Sequence, residues 1–152
     1  MRVACLILVV VCACGKQPSA IAELTRADGP VERQQGDAAW QAAAIGAKYF
    51  LGDAARTHDG TATLDVGGGA ARILMQRRTL LRFGGKPGVT KLAIELGAID
   101  LSGAGSYSLD IGDVKLAKDG TVRVTAQGNG GSTVELLVGG GQVARNGSTV
   151  DL

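Results

Sequence analysis

The chain has 152 residues and a formal net charge of +2, with 45% apolar residues, only 3% aromatic residues and 24 glycines. That length suits one domain able to bury a core, and the near-neutral charge gives no general attraction to nucleic acid. The three cysteines, Cys5, Cys12 and Cys14, all lie at the extreme N-terminus, so the rest of the chain has no disulfide framework to draw on.

Residues 1–14 come first in the chain. One positive charge at Arg2 precedes an apolar run from Val3 to Val11, followed by Ala13 and Cys14. This order describes a secretory signal. The run is shorter than the roughly 20 apolar residues that a permanent spanning helix needs. Val11-Cys12-Ala13-Cys14 resembles the lipobox of bacterial lipoproteins. The resemblance implies cleavage before Cys14, acylation of Cys14 and loss of Cys5 and Cys12 with the signal peptide, residues 1–13. Several acyl chains on one cysteine anchor stably, where one chain alone is marginal. Gly15 after the modified cysteine implies, within that class, export to the outer membrane with the domain facing the periplasm. Residues 14–20, with Gln17, Pro18 and Ser19, then form the lipidated end and a short tether.

From residue 21 to residue 152 the dominant pattern is period-two alternation. Ala62, Leu64 and Val66 alternate with Thr61, Thr63 and Asp65; Leu92, Ile94 and Leu96 with Lys91, Ala93 and Glu95. The same holds for Tyr107, Leu109 and Ile111, and for Val122 and Val124. Such alternation predicts strands with one buried and one wet face. Turn dipeptides separate them at Asp28-Gly29, Asp59-Gly60, Asp119-Gly120, Asn129-Gly130 and Asn146-Gly147, with further breaks at Gly67-Gly68-Gly69 and Lys86-Pro87-Gly88. The alanine-rich stretch from Asp37 to Tyr49 is the sole helical candidate, and Gly46 with the lack of an apolar stripe argues for a loop there. Gly97 sits where the parity of the apolar residues slips, from Leu92, Ile94 and Leu96 to Ile99 and Leu101, which predicts a bulge or sharp bend. Residues 92–103 echo residues 136–147, a hint of solenoid-like stacking. Val150-Asp151-Leu152 is expected to be a closing edge strand, unless the chain is shorter than the architecture it came from. Together these features predict an all-β fold of two packed antiparallel sheets, a sandwich with solenoid-like repetition.

The stretch from Ala22 to Phe83 resembles a FecR domain. The matching residues are Gly29 and Val31, Trp40, Gly46, Leu51-Gly52-Asp53, Arg56-Thr57, Gly60-Thr61-Ala62-Thr63-Leu64, Ala71 to Met75 and Thr79-Leu80-Leu81. Residues 90–152 read as the β-rich continuation. The resemblance implies an envelope interaction domain of a sensory or regulatory kind. Family members pass signals inward through a membrane helix and a cytoplasmic region. A lipid-anchored version cannot itself carry a signal across the inner membrane, so iron-transport signalling does not follow. On this reading Trp40 caps an apolar core, and Gly52-Asp53 turns the chain into a strand at Arg56-Thr57.

Catalytic chemistry finds little to work with. His58 is the sole histidine and lies in a turn sequence, Thr57-His58-Asp59-Gly60, which predicts a solvated side chain. A zinc site or a serine hydrolase would need partners that one histidine does not supply. None of Ser19, Ser102, Ser106, Ser108, Ser132 and Ser148 stands in Gly-x-Ser-x-Gly. The triplets Gly67–Gly69 and Gly139–Gly141 lack the Lys-Ser/Thr and following helix of a phosphate loop. Asp53, Asp59 and Asp65 recur every six residues, unlike a calcium loop, and are expected in turns and on solvent faces. No catalytic residue, cofactor or metal ligand is assigned.

One charge feature stands out. Between Val66 and Ile94 there is no acidic residue, while Arg72, Arg77, Arg78, Arg82, Lys86 and Lys91 fall within that span. Arg72, Arg78 and Arg82 share parity if one strand runs through unbroken, and would then line one face attractive to an acidic protein, to anionic lipid or to peptidoglycan carboxylates. The sequence therefore predicts a non-enzymatic, lipid-anchored envelope module that docks a protein partner, with a sheet edge able to take a strand from it. The alternative is a structural or peptidoglycan-binding module.

Overall fold

The computed structural model describes residues 19–86 and 89–152. The chain runs through β1 (Ala22–Asp28), β2 (Val31–Gln34), β3 (Gln41–Ala42), β4 (Lys48–Tyr49), β5 (Ala54–Thr57), β6 (Thr61–Val66), β7 (Ala71–Met75), β8 (Leu80–Lys86), β9 (Val89–Leu96), β10 (Ala98–Ser102), β11 (Gly105–Leu109), β12 (Gly112–Leu116), β13 (Thr121–Ala126), β14 (Ser132–Val138), β15 (Gly141–Arg145) and β16 (Ser148–Asp151). Each predicted turn dipeptide lies at or between the ends of two successive strands. At Asn146 and Gly147 both residues are left-handed (φ 51° and 81°), the conformation a two-residue hairpin demands.

The strands form two sheets. The first has the order β4-β1-β6-β7-β10-β13-β14, and the second the order β3-β2-β5-β8-β9-β11-β12-β15-β16. Both grow in the same direction, because the chain keeps crossing between them. It lays the hairpin β6–β7 in the first sheet, β8–β9 in the second, β10 in the first, β11–β12 in the second, β13–β14 in the first and β15–β16 in the second. This is the solenoid-like repetition within an all-β sandwich. Pairing is antiparallel with one exception. β9 and β11 run parallel, with Ser108 opposite Lys91, because β10 intervenes in the opposite sheet.

Alternation works because every second side chain points at the facing sheet. Leu24, Leu64, Ile73, Ile99, Leu101 and Val122 from the first sheet share one continuous core with Leu81, Phe83, Leu92 and Val114 from the second, all at 0% exposure. Each such residue contributes about 1.5–3 kcal/mol by leaving water. Phe83 packs on Tyr49 with ring centroids 5.3 Å apart.

Gly97 (φ 81°) marks the sharp bend that the parity slip predicts. Leu92 and Ile94 point inward from the second sheet, and Ile99 and Leu101 point inward from the first, so the slip records a change of sheet. A side chain at Gly97 would lie 2.6 Å from the Arg78 carbonyl oxygen. The ladder irregularity itself lies one step earlier, opposite Leu80 and Leu81. The echo of 92–103 in 136–147 is likewise a strand, a sheet change and a strand, here from β14 to β15 in the opposite sense.

Residues 37–49 contain no helix, only turns and the two-residue strands β3 and β4. Trp40 does not cap the core. It lies outside the second sheet, beneath the Arg56 guanidinium at 4.3 Å from the ring centroid, while Tyr49 and Phe83 fill the interior. A cation over an indole face stabilises this outer position. β16 is an edge strand of the second sheet, as expected of the residues around Val150.

Candidate functional site

The three arginines singled out by parity do not share a face. Arg72 stands on β7 in the first sheet, and its Nε donates to Asp65 at 3.2 Å. Arg82 stands on β8 in the second sheet, where it bonds Glu95 at 2.7 Å and Gln34 at 3.3 Å. Arg78 lies in the turn between those strands with a left-handed backbone (φ 53°), and reaches Asp59 at 3.5 Å. The turn carries the chain from one sheet to the other, so parity does not continue through it. Each guanidinium also faces an acid supplied by another segment. Exposed pairs of this kind are worth at most about 1 kcal/mol.

The turn creates a groove that the sequence did not announce. Arg56, His58, Arg78, Leu80 and Leu96 line a depression of about 420 Å³ on the second sheet. Its walls are held by two buried hydroxyls. Thr57 Oγ1 donates to the Gln76 carbonyl at 2.6 Å and accepts from the Thr79 amide at 3.0 Å. Thr79 Oγ1 bonds the Ala98 carbonyl at 2.9 Å and accepts from the Ala98 amide at 3.1 Å. Beside the groove, Glu32 lies opposite Arg56 on paired strands. One oxygen, Glu32 Oε2, accepts from Arg56 Nε at 2.6 Å and meets His58 Nε2 at 2.7 Å. His58 is half-exposed in its turn, as the sequence predicts, and its ring also meets Glu32.

The Arg56 bond, followed by the His58 bond, holds the Glu32 carboxyl below the usual carboxylate range. A carboxyl depressed on folding adds stability above its unfolded pKa and loses it as pH falls through the folded value. The Glu32 side-chain resonance in an NMR titration should thus show a midpoint below 4.5. In Arg56→Gln it should return toward the ordinary value, because the guanidinium that favours the charged carboxylate most is gone. An unchanged midpoint in the variant would sever this link.

A second polar cluster is internal. Asp53, 5% exposed, accepts from Arg33 Nη2 at 2.8 Å and from the backbone amides of Phe50 at 3.0 Å and Gly36 at 3.3 Å. This corrects the expectation of a solvent-facing Asp53, while Asp59 and Asp65 keep it. The Gly52-Asp53 turn does lead into β5 as predicted. Arg33 covers the rings of Tyr49 and Phe50, and burial pushes the Tyr49 phenol up to about 12. The cluster ties β2 to the turn before β5, a structural role. On the outer face of the first sheet, Arg123 clasps Asp100 through two bonds of 2.6 and 2.7 Å.

Among the described residues, no group of three or more His, Cys, Asp or Glu side chains is placed to hold a metal ion. Gly67–Gly69 forms a short 3-10 turn between β6 and β7, and Gly139–Gly141 carries the chain from β14 into β15. Ser102, Ser106 and Ser108 stand on β10 and β11. Cys14 and the signal segment lie outside the described residues, and among the described ones no helix is long and apolar enough to cross a membrane. No family model matches the chain, and no curated protein or solved structure matches it either.

Proposed function

We propose that the chain is a lipid-anchored bacterial envelope protein whose β domain, FecR-like in sequence, acts as a non-enzymatic protein-interaction or sensory module. The observation that carries this reading is the order of residues 1–14: Arg2, an apolar run, Ala13, then Cys14. The surfaces that support it are a groove where Arg56, His58, Asp59 and Arg78 stand beside apolar Leu80 and Leu96, and the seven-residue β14 edge. Held at the outer membrane by Cys14, the module would face periplasmic or membrane partners, and any signal would pass onward through such a partner.

The test is a pull-down from detergent-solubilised envelope with residues 15–152 as bait, with and without muramidase treatment. Their described core begins at Ala22. A specific protein recovered under both conditions is the expected result. Recovery of peptidoglycan fragments alone, lost on digestion, would make the protein a cell-wall module and end the docking reading.

A further inference from the structure

The two ends of the sandwich are finished differently. At the β3/β4 end the edge strands are two residues long. There, residues 43–47 bridge both sheets: the Ala43 amide donates to Val31 in the second sheet, and Leu24 in the first exchanges bonds with Gly46 and Ala47. At the β14/β16 end the β14 edge is long. Ser132 at its start is tied to the second sheet by a 2.8 Å bond to Asp110, with no bridging segment like residues 43–47 among the described residues. β14 has seven residues and β16 has four, and neither contains a fully buried side chain. The alternation nevertheless continues to the edge. Val134 and Leu136 point inward from β14, opposite Val124 and Val122. Val143 and Val150 pair across β15 and β16, and Val150 remains 61% exposed. An apolar mouth thus opens between two unpaired edges.

Natural edge strands are protected by lysine, proline, a bulge or short length. β16 is short, and the irregularity of β14 lies at Leu137, beyond the inward Val134 and Leu136. β14 and β16 contain no lysine, arginine or proline. Their only charges are acidic, Glu135 and Asp151. Glu135 points outward, opposite Arg123, which both its bonds commit to Asp100. These charges decide the occupant. A second copy docked through the same end sets acid against acid. A strand with apolar residues inward and basic residues outward satisfies both the mouth and Glu135.

Resting on the docking reading above, we propose that the β14 edge is the docking site, and that its occupant is an extended partner segment alternating apolar and basic residues. The segment adds a strand to the first sheet and seats its apolar side chains over Val134, Leu136 and Val143. Outward lysine or arginine residues face Glu135, as opposite charges do across neighbouring strands.

The test titrates the full chain with two probes, acetyl-Lys-Val-Lys-Val-Lys-Val-Lys-amide and its counterpart with glutamate in place of lysine. Calorimetry gives the affinities and hydrogen exchange gives the footprint. The lysine peptide should bind about three- to tenfold tighter, in line with the known size of cross-strand charge pairs. It should slow amide exchange along β14, and Glu135→Lys should reverse the preference. Equal or absent binding, protection away from β14, or dimerisation of the chain through this end would overturn the proposal. If the envelope pull-down recovers the same protein with wild type and Glu135→Lys, docking stands and the β14 assignment falls. If it recovers no protein at all, the docking reading itself falls.

Discussion

Phe83→Ala should lower the unfolding free energy by about 3–5 kcal/mol, the cost of emptying a large aromatic site in a packed core. Phe83 is fully buried and leans on Tyr49 across the interior at a tilt of 39°. Its backbone also anchors the turn before β5, receiving the Gly52 amide at 2.8 Å and donating to Asp53 at 2.9 Å. Removing the ring leaves that frame in place around a void, so the site cannot collapse cheaply. Against a total stability of about 5–15 kcal/mol for a domain, the loss is a large share. Urea unfolding followed by circular dichroism measures it. Ile45→Ala is the control: Ile45 is 60% exposed, and its change should stay within about 0.5 kcal/mol. A loss below about 1 kcal/mol at Phe83 would mean that the two sheets do not share this core.

Gly60→Ala should be still more damaging, costing above about 4 kcal/mol, in the range reserved for a named steric failure. The constraint is space. A Cβ at Gly60 would lie 1.5 Å from the Asp28 carbonyl oxygen and 2.9 Å from the Gly29 Cα. Both are backbone atoms and cannot swing aside as a side chain would. At this point the crossing from β1 to β2 passes directly against the crossing from β5 to β6, and no methyl group fits between them. Gly128→Ala, with nothing within 4 Å, should change stability by no more than about 0.5 kcal/mol. Thermal melts of the pair provide the comparison. Equal melting temperatures would contradict the packed crossing.

The sequence makes the central strands legible because each has one face in the core. Ala62, Leu64 and Val66 alternate in the chain and are buried in the structure, as do Ile99 with Leu101 and Val122 with Val124. The Asp-Gly and Asn-Gly pairs mark the places where the chain turns. Sheet membership is less visible, because alternation is blind to which side of a core a strand occupies. Gly97 gave the one clear sign, a parity slip where the chain changes sheet. The same blindness undid the grouping of Arg72, Arg78 and Arg82: parity relates residues only within one strand, and two of these lie in opposite sheets. The Arg33–Asp53 pair spans 20 residues with no local pattern, so only the fold reveals it. Trp40 shows a different limit. A lone aromatic residue in a chain with few others suggests a core, yet Arg56 offers its ring an outer seat. At the β14 edge the alternation runs regularly from Ser132 to Leu136, yet Val134 and Leu136 are only partly buried against the core, a difference no single-strand pattern encodes.

The proposed placement in the envelope gives the proposed docking surface its meaning, and it rests on Cys14. Intact-mass and peptide mass spectrometry of the protein isolated from bacterial membranes tests it most directly. Anchoring predicts a mature chain that begins at Cys14 and carries acyl groups on that residue, with Cys14→Ala unacylated and released from the membrane fraction. A chain that keeps residues 1–13, or one whose Cys14 is unmodified while the protein still sediments with membranes, would contradict the lipid anchor and the envelope role built on it.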